Sequence, residues 1–239
     1  MYHRALLFVL ESLDGGGKGT QIKLITDYLK EKDLKVAFFH FPMYGHNEFS
    51  KIIAAYLRGE YGDVDQVNPY FVANIYAMDR YLYFPEFKKL LNKNDVVLLD
   101  RYVFSNMAYQ AAKYPNDLRE SLNIEFWIES LEFKFLDLPY PDLTLFLDNS
   151  IDTIQKRLDT ERTGDDRNYL NGHQDIHEKN IEFQRCVRQN YLRLIERFQK
   201  YEIVPCEDEN GIVLSPDALF DTYKHRFDEL VELNNLTIV

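Results

Sequence analysis

Short apolar runs alternate along the chain with segments whose apolar residues recur every three to four positions. Continuous apolar runs of this kind are typical of parallel strands buried on both faces. They occupy residues 5–10, 36–39, 96–99, 143–147 and 203–204. The helical spacing begins at Thr20, covers 52–57 and 71–91, follows a stripe from Phe183 to Phe198, and starts a last time at Ser215. This alternation predicts an α/β fold with a doubly wound, mostly parallel sheet flanked by helices.

Length, composition and charge limit the kinds of protein that fit this pattern. The 239 residues, 46% of them hydrophobic, are enough to bury a sizeable core, and no repeat or long linker divides the chain. We therefore expect a single domain over residues 1–239. The net charge of −11 repels polyanions, so neither a nucleic acid polymer nor a membrane surface is expected as a partner.

Two further features predict a cytoplasmic location. Cys186 and Cys206 stand in a chain without an apparent secretory signal, so we interpret them as reduced thiols. The apolar run at residues 5–10 is too short for a signal peptide or a membrane span.

A glycine-rich segment joins the first predicted strand to the first predicted helix and resembles a Walker A phosphate loop. The usual pattern is G-x-x-x-x-G-K-[ST]. Here Ser12 replaces the first glycine, and Gly19 follows the lysine, so that Thr20 is the nearest hydroxyl. Backbone N–H groups, the helix N-terminus and Lys18 would still hold polyphosphate. The alternative is a glycine-rich turn with a solvent-exposed lysine. The predicted ATP-binding residues are Ser12, Leu13, Asp14, Gly15, Gly16, Gly17, Lys18, Gly19 and Thr20.

Charged residues also follow the strand at 96–99. Asp100 and Arg101 come at its carboxyl end, where ligands bind in folds of this class. The acid suits Mg2+ or its bound water, and the arginine suits a phosphate. Asp14 would repel a triphosphate unless it met a hydroxyl or a metal ion. Thr20, Asp100 and Asp14 are thus the candidate metal ligands, although an Asp-Arg pair alone is more often a structural salt bridge.

Residues 100–110 read DRYxxSxxAYQ, and with this string the chain resembles the thymidylate kinase family of P-loop nucleoside monophosphate kinases. Three other segments agree in order. Residues 14–18 match DGxGK, residues 41–45 resemble FPxYG, and residues 76–80 resemble F-A-x-D-R. The resemblance implies a P-loop NTPase-like fold with a lid, Mg2+ as cofactor, and a homodimer.

The resemblance also implies a role for each matching residue. Tyr44 and Arg101 would hold the acceptor phosphate, Arg80 would donate to thymine O4, and Asn106 would contact the polar edge of the ring. Tyr109 would exclude a 2′-hydroxyl. Taken singly, the aromatic residues Phe41 and Tyr76, which would pack the base, are ordinary core candidates. The full predicted substrate site is Asp14, Phe41, Pro42, Tyr44, Tyr76, Arg80, Arg101, Ser105, Asn106, Tyr109 and Gln110.

Two departures from the family pattern affect the expected chemistry. Met43 stands where many members carry arginine, and the phosphate loop itself contains no arginine. The polar segment at about 157–174, the expected lid, supplies Arg162 and Arg167, with Arg157 as a third option. An ordinary solvated loop is the alternative for this segment. The predicted catalytic residues are thus Lys18, Arg101, Arg162 and Arg167, and Glu178 is a weaker candidate for ordering substrate or metal.

We expect transfer of the γ-phosphoryl of ATP to dTMP, which gives ADP and dTDP in dTTP biosynthesis. Three alternatives remain. The first is another nucleoside monophosphate or deoxynucleoside kinase of the same fold, and the second is a non-catalytic P-loop nucleotide-binding protein. The third is a GTP-binding switch, suggested by N-K-x-D at residues 92–95. That motif precedes a strand rather than following one, so we interpret it as a turn.

Overall fold

A computed structural model describes residues 4–159 and 169–234 and contains a five-stranded parallel sheet. The strand order is β2-β3-β1-β4-β5. The strands are β1 (Leu6–Ser12), β2 (Val36–His40), β3 (Val96–Asp100), β4 (Leu143–Asp148) and β5 (Tyr201–Pro205). Every strand pairing in this sheet is parallel. The predicted doubly wound α/β class is therefore confirmed.

Helices connect the strands and cover the sheet. Within the described residues they are α1 (Lys18–Glu31), α2 (Glu48–Leu57), α3 (Pro69–Lys93), α4 (Val103–Ala111), α5 (Leu118–Glu129), α6 (Ile151–Leu158), α7 (Ile181–Leu194), α8 (Pro216–Tyr223) and α9 (His225–Leu233). Helix α5 runs directly into a π-helical segment, Ser130–Phe135. None of these helices combines the length and the apolar character that crossing a lipid bilayer requires.

Each strand of the predicted sheet was placed correctly, but some helices differ from the sequence prediction. The stripe from Phe183 to Phe198 was too long, because helix α7 ends at Leu194 and Arg197 N then donates to Leu194 O in a turn toward β5. Helix α4 was missed as a helix. Eight of its nine residues are buried, so it lacks the polar face that makes a helix visible in sequence.

The alternation of side chains along β1 explains why its sequence is continuously apolar. Ala5, Leu7 and Val9 belong to the core on one side of the sheet, and Leu6 and Phe8 belong to the core on the other. Because successive strand residues point to opposite faces, a strand buried on both faces shows no polar positions. The strand therefore sits at the centre of the molecule.

The sheet order determines where the site forms. Strand β1 lies between β3 and β4, so the loop after Ser12 and the residues after Asp100 leave the same edge of the sheet side by side. Parallel strands place all their carboxyl ends at one edge, which is where ligands bind in such folds.

Candidate active site

The glycine-rich loop leads from β1 into the N-terminus of α1. Gly15 and Gly17 have φ angles of 75° and 88°, in the left-handed region that glycine adopts without strain. A Cβ atom on Gly16 would lie 2.4 Å from Oγ of Ser12. The Ser12 side chain thus fills the space next to Gly16. The loop can hold a serine in place of the first Walker glycine because Gly16 has no side chain.

Lys18 spans the loop. Its Nζ donates to Oγ of Ser12 at 3.1 Å and lies 3.7 Å from a carboxyl oxygen of Asp100. Burial lowers the pKa of Lys18, and the charge of Arg101 adds to this effect, while Asp100 and Asp14 raise it. Lys18 therefore lies between the phosphate loop and the end of β3, which the sequence predicted to be neighbours.

Asp14 and Arg101 form the centre of the site. Nη2 of Arg101 donates to Oδ1 of Asp14 at 2.6 Å, and the other carboxyl oxygen accepts from Tyr109 Oη at 2.9 Å and Gln184 Nε2 at 3.0 Å. Burial raises the pKa of Asp14, but the charges of Arg101, Lys18 and His177 outweigh it and lower the pKa to about 2. Asp14 is therefore a carboxylate at neutral pH.

Arg101 holds an unusual backbone conformation, with a φ of 65°. Such an angle is unfavourable for a residue with a side chain and persists where surrounding contacts hold it. Here Nη1 of Arg101 donates to the Ser12 carbonyl at 3.0 Å and to Oγ of Ser105 at 3.2 Å. These contacts fix the orientation of the guanidinium, and Arg101 lines the cavity.

One cavity of about 690 Å³ connects the phosphate loop to a region lined by Phe41, Arg80 and Asn106. The predicted residues that line it are Asp14, Gly15, Gly16, Gly17, Lys18, Gly19, Thr20, Phe41, Pro42, Tyr44, Tyr76, Arg80, Asp100, Arg101, Ser105, Asn106, Tyr109 and Gln110. Ser12 and Leu13 instead lie behind the loop, where Ser12 is 0% and Leu13 1% exposed. The tertiary structure brings the remaining candidates together.

A buried ion pair lies at the end of the cavity lined by Phe41, Arg80 and Asn106. Arg80 contacts Glu132 through two hydrogen bonds of 2.5 and 2.6 Å. Asn106 Nδ2 donates to the same carboxylate at 2.9 Å. Phe41 lies beside this group, with its ring centroid 6.0 Å from Cζ of Arg80.

Hydrogen bonds to Asp79 of helix α3 hold the loop that follows β2. Asp79, which precedes Arg80 on α3, accepts from the backbone N–H of Met43 at 2.9 Å and from Asn47 Nδ2 at 2.7 Å. Tyr44 stacks on Tyr169 with ring centroids 4.1 Å apart and an interplanar angle of 6°. These contacts place the Phe41–Pro42 wall of the cavity.

Several residues of the site carried no motif and were missed by the sequence prediction. Glu11 is 0% exposed. It accepts hydrogen bonds from Tyr102 N, Ser105 Oγ and Tyr191 Oη. It stands directly after the apolar run at residues 5–10 and within the fully buried strand β1. A carboxylate at this position was a usable signal, because a buried charge requires partners. Burial raises the pKa of Glu11.

Asp175 and His177 also line the cavity, at the end of the expected lid segment. Burial, with the charge of Asp14, raises the pKa of Asp175 to about 7. Burial lowers the pKa of His177 to about 3. Glu178, the weaker candidate, lines the cavity as well.

The expected lid is described only at its two ends. Arg162 and Arg167 lie outside the described residues, and residues 157 and 158 form the last turn of α6. Nη1 of Arg157 donates to Gly15 O at 3.1 Å and to Asn149 Oδ1 at 3.0 Å. At the other end, Arg58 donates to Tyr169 O at 2.6 Å.

Known proteins are similar to this chain in sequence and in fold. The thymidylate kinase family model matches residues 10–214. The thymidylate kinase of Mycobacterium tuberculosis (strain H37Rv) is 34% identical over 152 residues, which are 64% of this chain and 70% of that protein. The probable thymidylate kinase of Pyrococcus abyssi is 31% identical over 206 residues, which are 84% of this chain and 88% of that protein.

A solved structure agrees with the fold. The thymidylate kinase from Candida albicans superposes with a TM-score of 0.70 at 24% identity, covering 97% of this chain and 92% of that one. At that identity the superposition bears on the fold alone. The family model, by contrast, matches most of the sequence and includes the motifs that line the cavity. The chain therefore belongs to the thymidylate kinase family.

Proposed function

We propose that this protein transfers the γ-phosphoryl group of ATP to dTMP, giving ADP and dTDP for dTTP biosynthesis. The observation that carries this proposal is the single cavity that joins a phosphate loop to a base pocket. The base pocket offers one donor, on Arg80, and one acceptor, on Asn106, and both side chains contact the Glu132 carboxylate. Within residues 4–159 and 169–234, neither Nη1 of Arg80 nor Oδ1 of Asn106 has a hydrogen-bond partner.

This donor and acceptor pattern suits thymine. The ring presents O4, which accepts, next to N3–H, which donates, whereas cytosine presents an amino donor next to an acceptor nitrogen. Arg80 and Asn106 would satisfy thymine and leave cytosine with mismatched groups, and an unpaired buried polar group costs about 1–3 kcal/mol. Phe41 and Tyr76 would pack the ring, and Pro42, Ser105 and Gln110 complete the pocket.

The acceptor phosphate would lie between the base pocket and the phosphate loop. Arg101 and Tyr44 border this region, and Asp14 would accept a hydrogen bond from the 3′-hydroxyl. Tyr109 is held against Asp14 by a hydrogen bond of 2.9 Å, so its ring forms a fixed wall. In this position it would exclude a 2′-hydroxyl.

The donor nucleotide would extend to the other side of the loop. A second cavity of about 270 Å³ borders Gly15, Gly16 and Gly17, and its other lining residues include Asn149, Arg157, Cys206, Val213, Leu214, Pro216 and Leu219. The acceptor residues beyond the loop do not line it. ATP would therefore reach from this cavity across the loop toward Lys18.

Phosphoryl transfer breaks the bond between the γ-phosphorus and the bridging oxygen of ADP and forms one to a phosphate oxygen of dTMP. The attacking phosphate is already ionised, so no general base is needed. Lys18 and Arg101 would neutralise the charge that spreads over the transferred group. Arg162 and Arg167 would add charge from the lid, whose closure would exclude water.

The residues at the edge of the sheet fit Mg2+. Oδ1 of Asp100 is buried and makes no hydrogen bond within the described part of the chain, and the exposed Thr20 hydroxyl lines the same cavity. Asp100 and Thr20 would hold the ion, which neutralises donor phosphate charge when bound. Both carboxyl oxygens of Asp14 already accept hydrogen bonds from protein groups, so the contacts favour a hydroxyl-binding role for Asp14 over a metal-binding one.

The proposal includes a homodimer formed through helix α3. Phe71, Met78 and Leu82 share one face of this helix, since they are spaced at i, i+7 and i+11. Phe71 and Leu82 are each 52% exposed. Apolar side chains repeated along an exposed helix face are typical of subunit contacts. A cytoplasmic location is also proposed and rests on the sequence.

Steady-state assays of ADP release with ATP, Mg2+ and a panel of dTMP, dUMP, dCMP, dAMP and dGMP test the function. We expect dTMP and dUMP to give a higher kcat/KM than dCMP, dAMP and dGMP, because only thymine and uracil match the donor and acceptor of the base pocket. Turnover of another acceptor without turnover of dTMP would point to a different nucleotide kinase. Nucleotide binding without ADP release would point to a non-catalytic P-loop protein.

The lid arginines need a separate test. Arg162→Ala and Arg167→Ala are expected to lower kcat by about 10³-fold for the arginine that contacts the transition state. Arg185→Ala, an exposed arginine on α7 that pairs with Glu182, is the matched control. Unchanged kcat in both lid variants would contradict the proposed role of the lid.

A further inference from the structure

A fully buried carboxylate lies behind the base pocket. The Arg80 and Glu132 side chains are 2% and 0% exposed. Nε and Nη2 of Arg80 donate to the two oxygens of this carboxylate. Glu132 is not one of the described residues that line the cavity, so it would not touch the substrate. It also lies outside all four motifs of the sequence.

The same carboxylate determines which way the Asn106 amide faces. Nδ2 of Asn106 donates to Glu132 Oε1 at 2.9 Å and to the Ala73 carbonyl at 3.0 Å. Both partners can only accept, so a turned-over amide would place Oδ1 against two oxygens. Oδ1 is buried without a partner in the described chain, and Asn106 lines the cavity. The pocket is therefore given an acceptor at this point.

Glu132 also directs the Arg80 guanidinium. Because Nε and Nη2 are engaged by the carboxylate, Nη1 is the nitrogen left to face the pocket, and no hydrogen bond to it occurs in residues 4–159 and 169–234. The planar guanidinium fits a carboxylate through two parallel hydrogen bonds. This fork fixes the orientation of the third nitrogen.

The backbone around Glu132 supports this placement. Glu132 lies in the π-helical segment Ser130–Phe135, where Leu136 N donates to Leu131 O at 2.9 Å across five residues. A π-helical turn accommodates an extra residue and changes the direction of the side chains that follow, and such turns are frequent at functional sites.

We propose that Glu132 is a positioning residue that determines base specificity by fixing the Arg80 donor and the Asn106 acceptor together. This inference rests on the proposed function, because it assumes that the pocket holds a pyrimidine. A glutamine at this position would remove one of the two constraints on the Asn106 amide, because its NH2 group can donate to Oδ1 of a turned-over Asn106, while the Ala73 carbonyl still favours the original orientation. Molecules with the turned-over amide would present Nδ2 to the pocket as a donor, which suits N3 of cytosine.

The test compares kcat and KM for dTMP and dCMP in wild type, Glu132→Gln and Glu132→Asp. Glu125→Gln is the matched control, because Glu125 is also 0% exposed and also pairs with arginines, Arg193 and Arg197, away from the cavity. We expect Glu132→Gln to lower the dTMP to dCMP ratio of kcat/KM by about tenfold or more, mainly through a higher KM for dTMP. The control should lose thermal stability without a change in that ratio.

Glu132→Asp retains the charge but is one methylene shorter, so it should fold and shift the ratio in the same direction by a smaller factor. If Glu132→Gln does not fold, the dTMP to dCMP ratio of kcat/KM in Glu132→Asp tests the inference. A wild-type ratio in Glu132→Asp, or in folded Glu132→Gln, would overturn the inference while leaving dTMP kinase activity intact. An equal change of the ratio in Glu125→Gln would also overturn it. Absence of dTMP turnover in wild type would instead refute the proposed function.

Discussion

The carboxylate of Asp14 and the guanidinium of Arg101 meet at 2.6 Å and connect the phosphate loop to the end of β3. The two residues are 87 positions apart in the chain. They become neighbours because β1 and β3 are adjacent parallel strands. The carboxylate keeps the arginine oriented, since it accepts from Nη2 while Nη1 donates to Ser12 O and Ser105 Oγ.

Replacing Arg101 with methionine tests the charge at this point. The variant should lower kcat for dTMP phosphorylation by about 10³-fold, because a guanidinium aimed at the transferred group contributes in that range. Arg188→Met is the control, since Arg188 forms a comparable pair with Asp148 at 2.6 Å outside the cavity. Equal losses in both variants would indicate a structural rather than a catalytic effect.

Replacing Lys18 with methionine tests the phosphate loop. Methionine retains most of the packing of this side chain, so the fold should persist while kcat falls by about 10²–10³-fold through lost charge stabilisation. Steady-state kinetics with varied ATP measure the effect. Lys23→Met, in the exposed part of α1, should behave as wild type, and near wild-type activity of Lys18→Met would contradict the assignment.

Asp79→Asn tests the support behind the base pocket. The variant keeps one acceptor but places an NH2 group against the Met43 N–H or the Asn47 amide, so it should raise KM for dTMP more than it lowers kcat. Its free energy of unfolding should fall by about 1–3 kcal/mol. The control is Asp95→Asn, where the carboxylate accepts from the backbone N–H of Lys35 at 2.8 Å in an exposed turn. A change in kcat alone would argue against a positioning role.

Asp175 and His177, which are two residues apart, should make opposite contributions to the pH dependence of stability. Burial and the Asp14 charge raise the pKa of Asp175 from 3.8 to about 7. Between those values the native state retains a proton that the unfolded state has lost, so this contribution decreases stability as pH rises. Burial lowers the pKa of His177 from 6.5 to about 3. Below 6.5 the unfolded state gains a proton that the native state does not, so this contribution increases stability as pH rises.

The two contributions nearly cancel between about pH 4 and 6.5, and single variants separate them. Stability of Asp175→Asn should increase with pH relative to wild type, and that of His177→Gln should decrease, each by up to about 1.4 kcal/mol per pH unit. Urea unfolding at several pH values measures both slopes. Glu86→Gln on the exposed face of α3 should run parallel to wild type. Parallel curves for all variants would contradict the assigned titrations.

Leu82→Glu tests the homodimer. A charge placed in the exposed apolar face of α3 should weaken self-association, because the carboxylate would lose its hydration in the interface. Sedimentation velocity at several protein concentrations measures the oligomeric state. Leu233→Glu, at the exposed end of α9, is the control, and a monomeric wild type would contradict the proposal.

The sequence by itself determined the fold class and most of the cavity lining. Strands buried on both faces are continuously apolar, and the phosphate loop and strand-end residues are consecutive or nearly so, which makes both visible in one dimension. The prediction that parallel strands end at one edge of the sheet placed Asp100 and Arg101 at the ligand-binding edge, and the structure adds the contact between Arg101 and Asp14. The individual roles of these residues stay predictions until the kinetic tests are made.

Only the tertiary structure decided which buried polar groups support the site. Glu132 and Gln184 lie in segments whose sequence shows no motif, and Glu11 stands just before the phosphate loop. The hydrogen bonds that tie the three side chains to Asn106, Asp14 and Tyr191 span 26, 170 and 180 residues. A buried carboxylate is tolerated only where donors from other elements converge on it. That convergence depends on how helices pack against the sheet. The apolar periodicity along the chain predicts the helices and strands, but it does not predict which of their side chains meet.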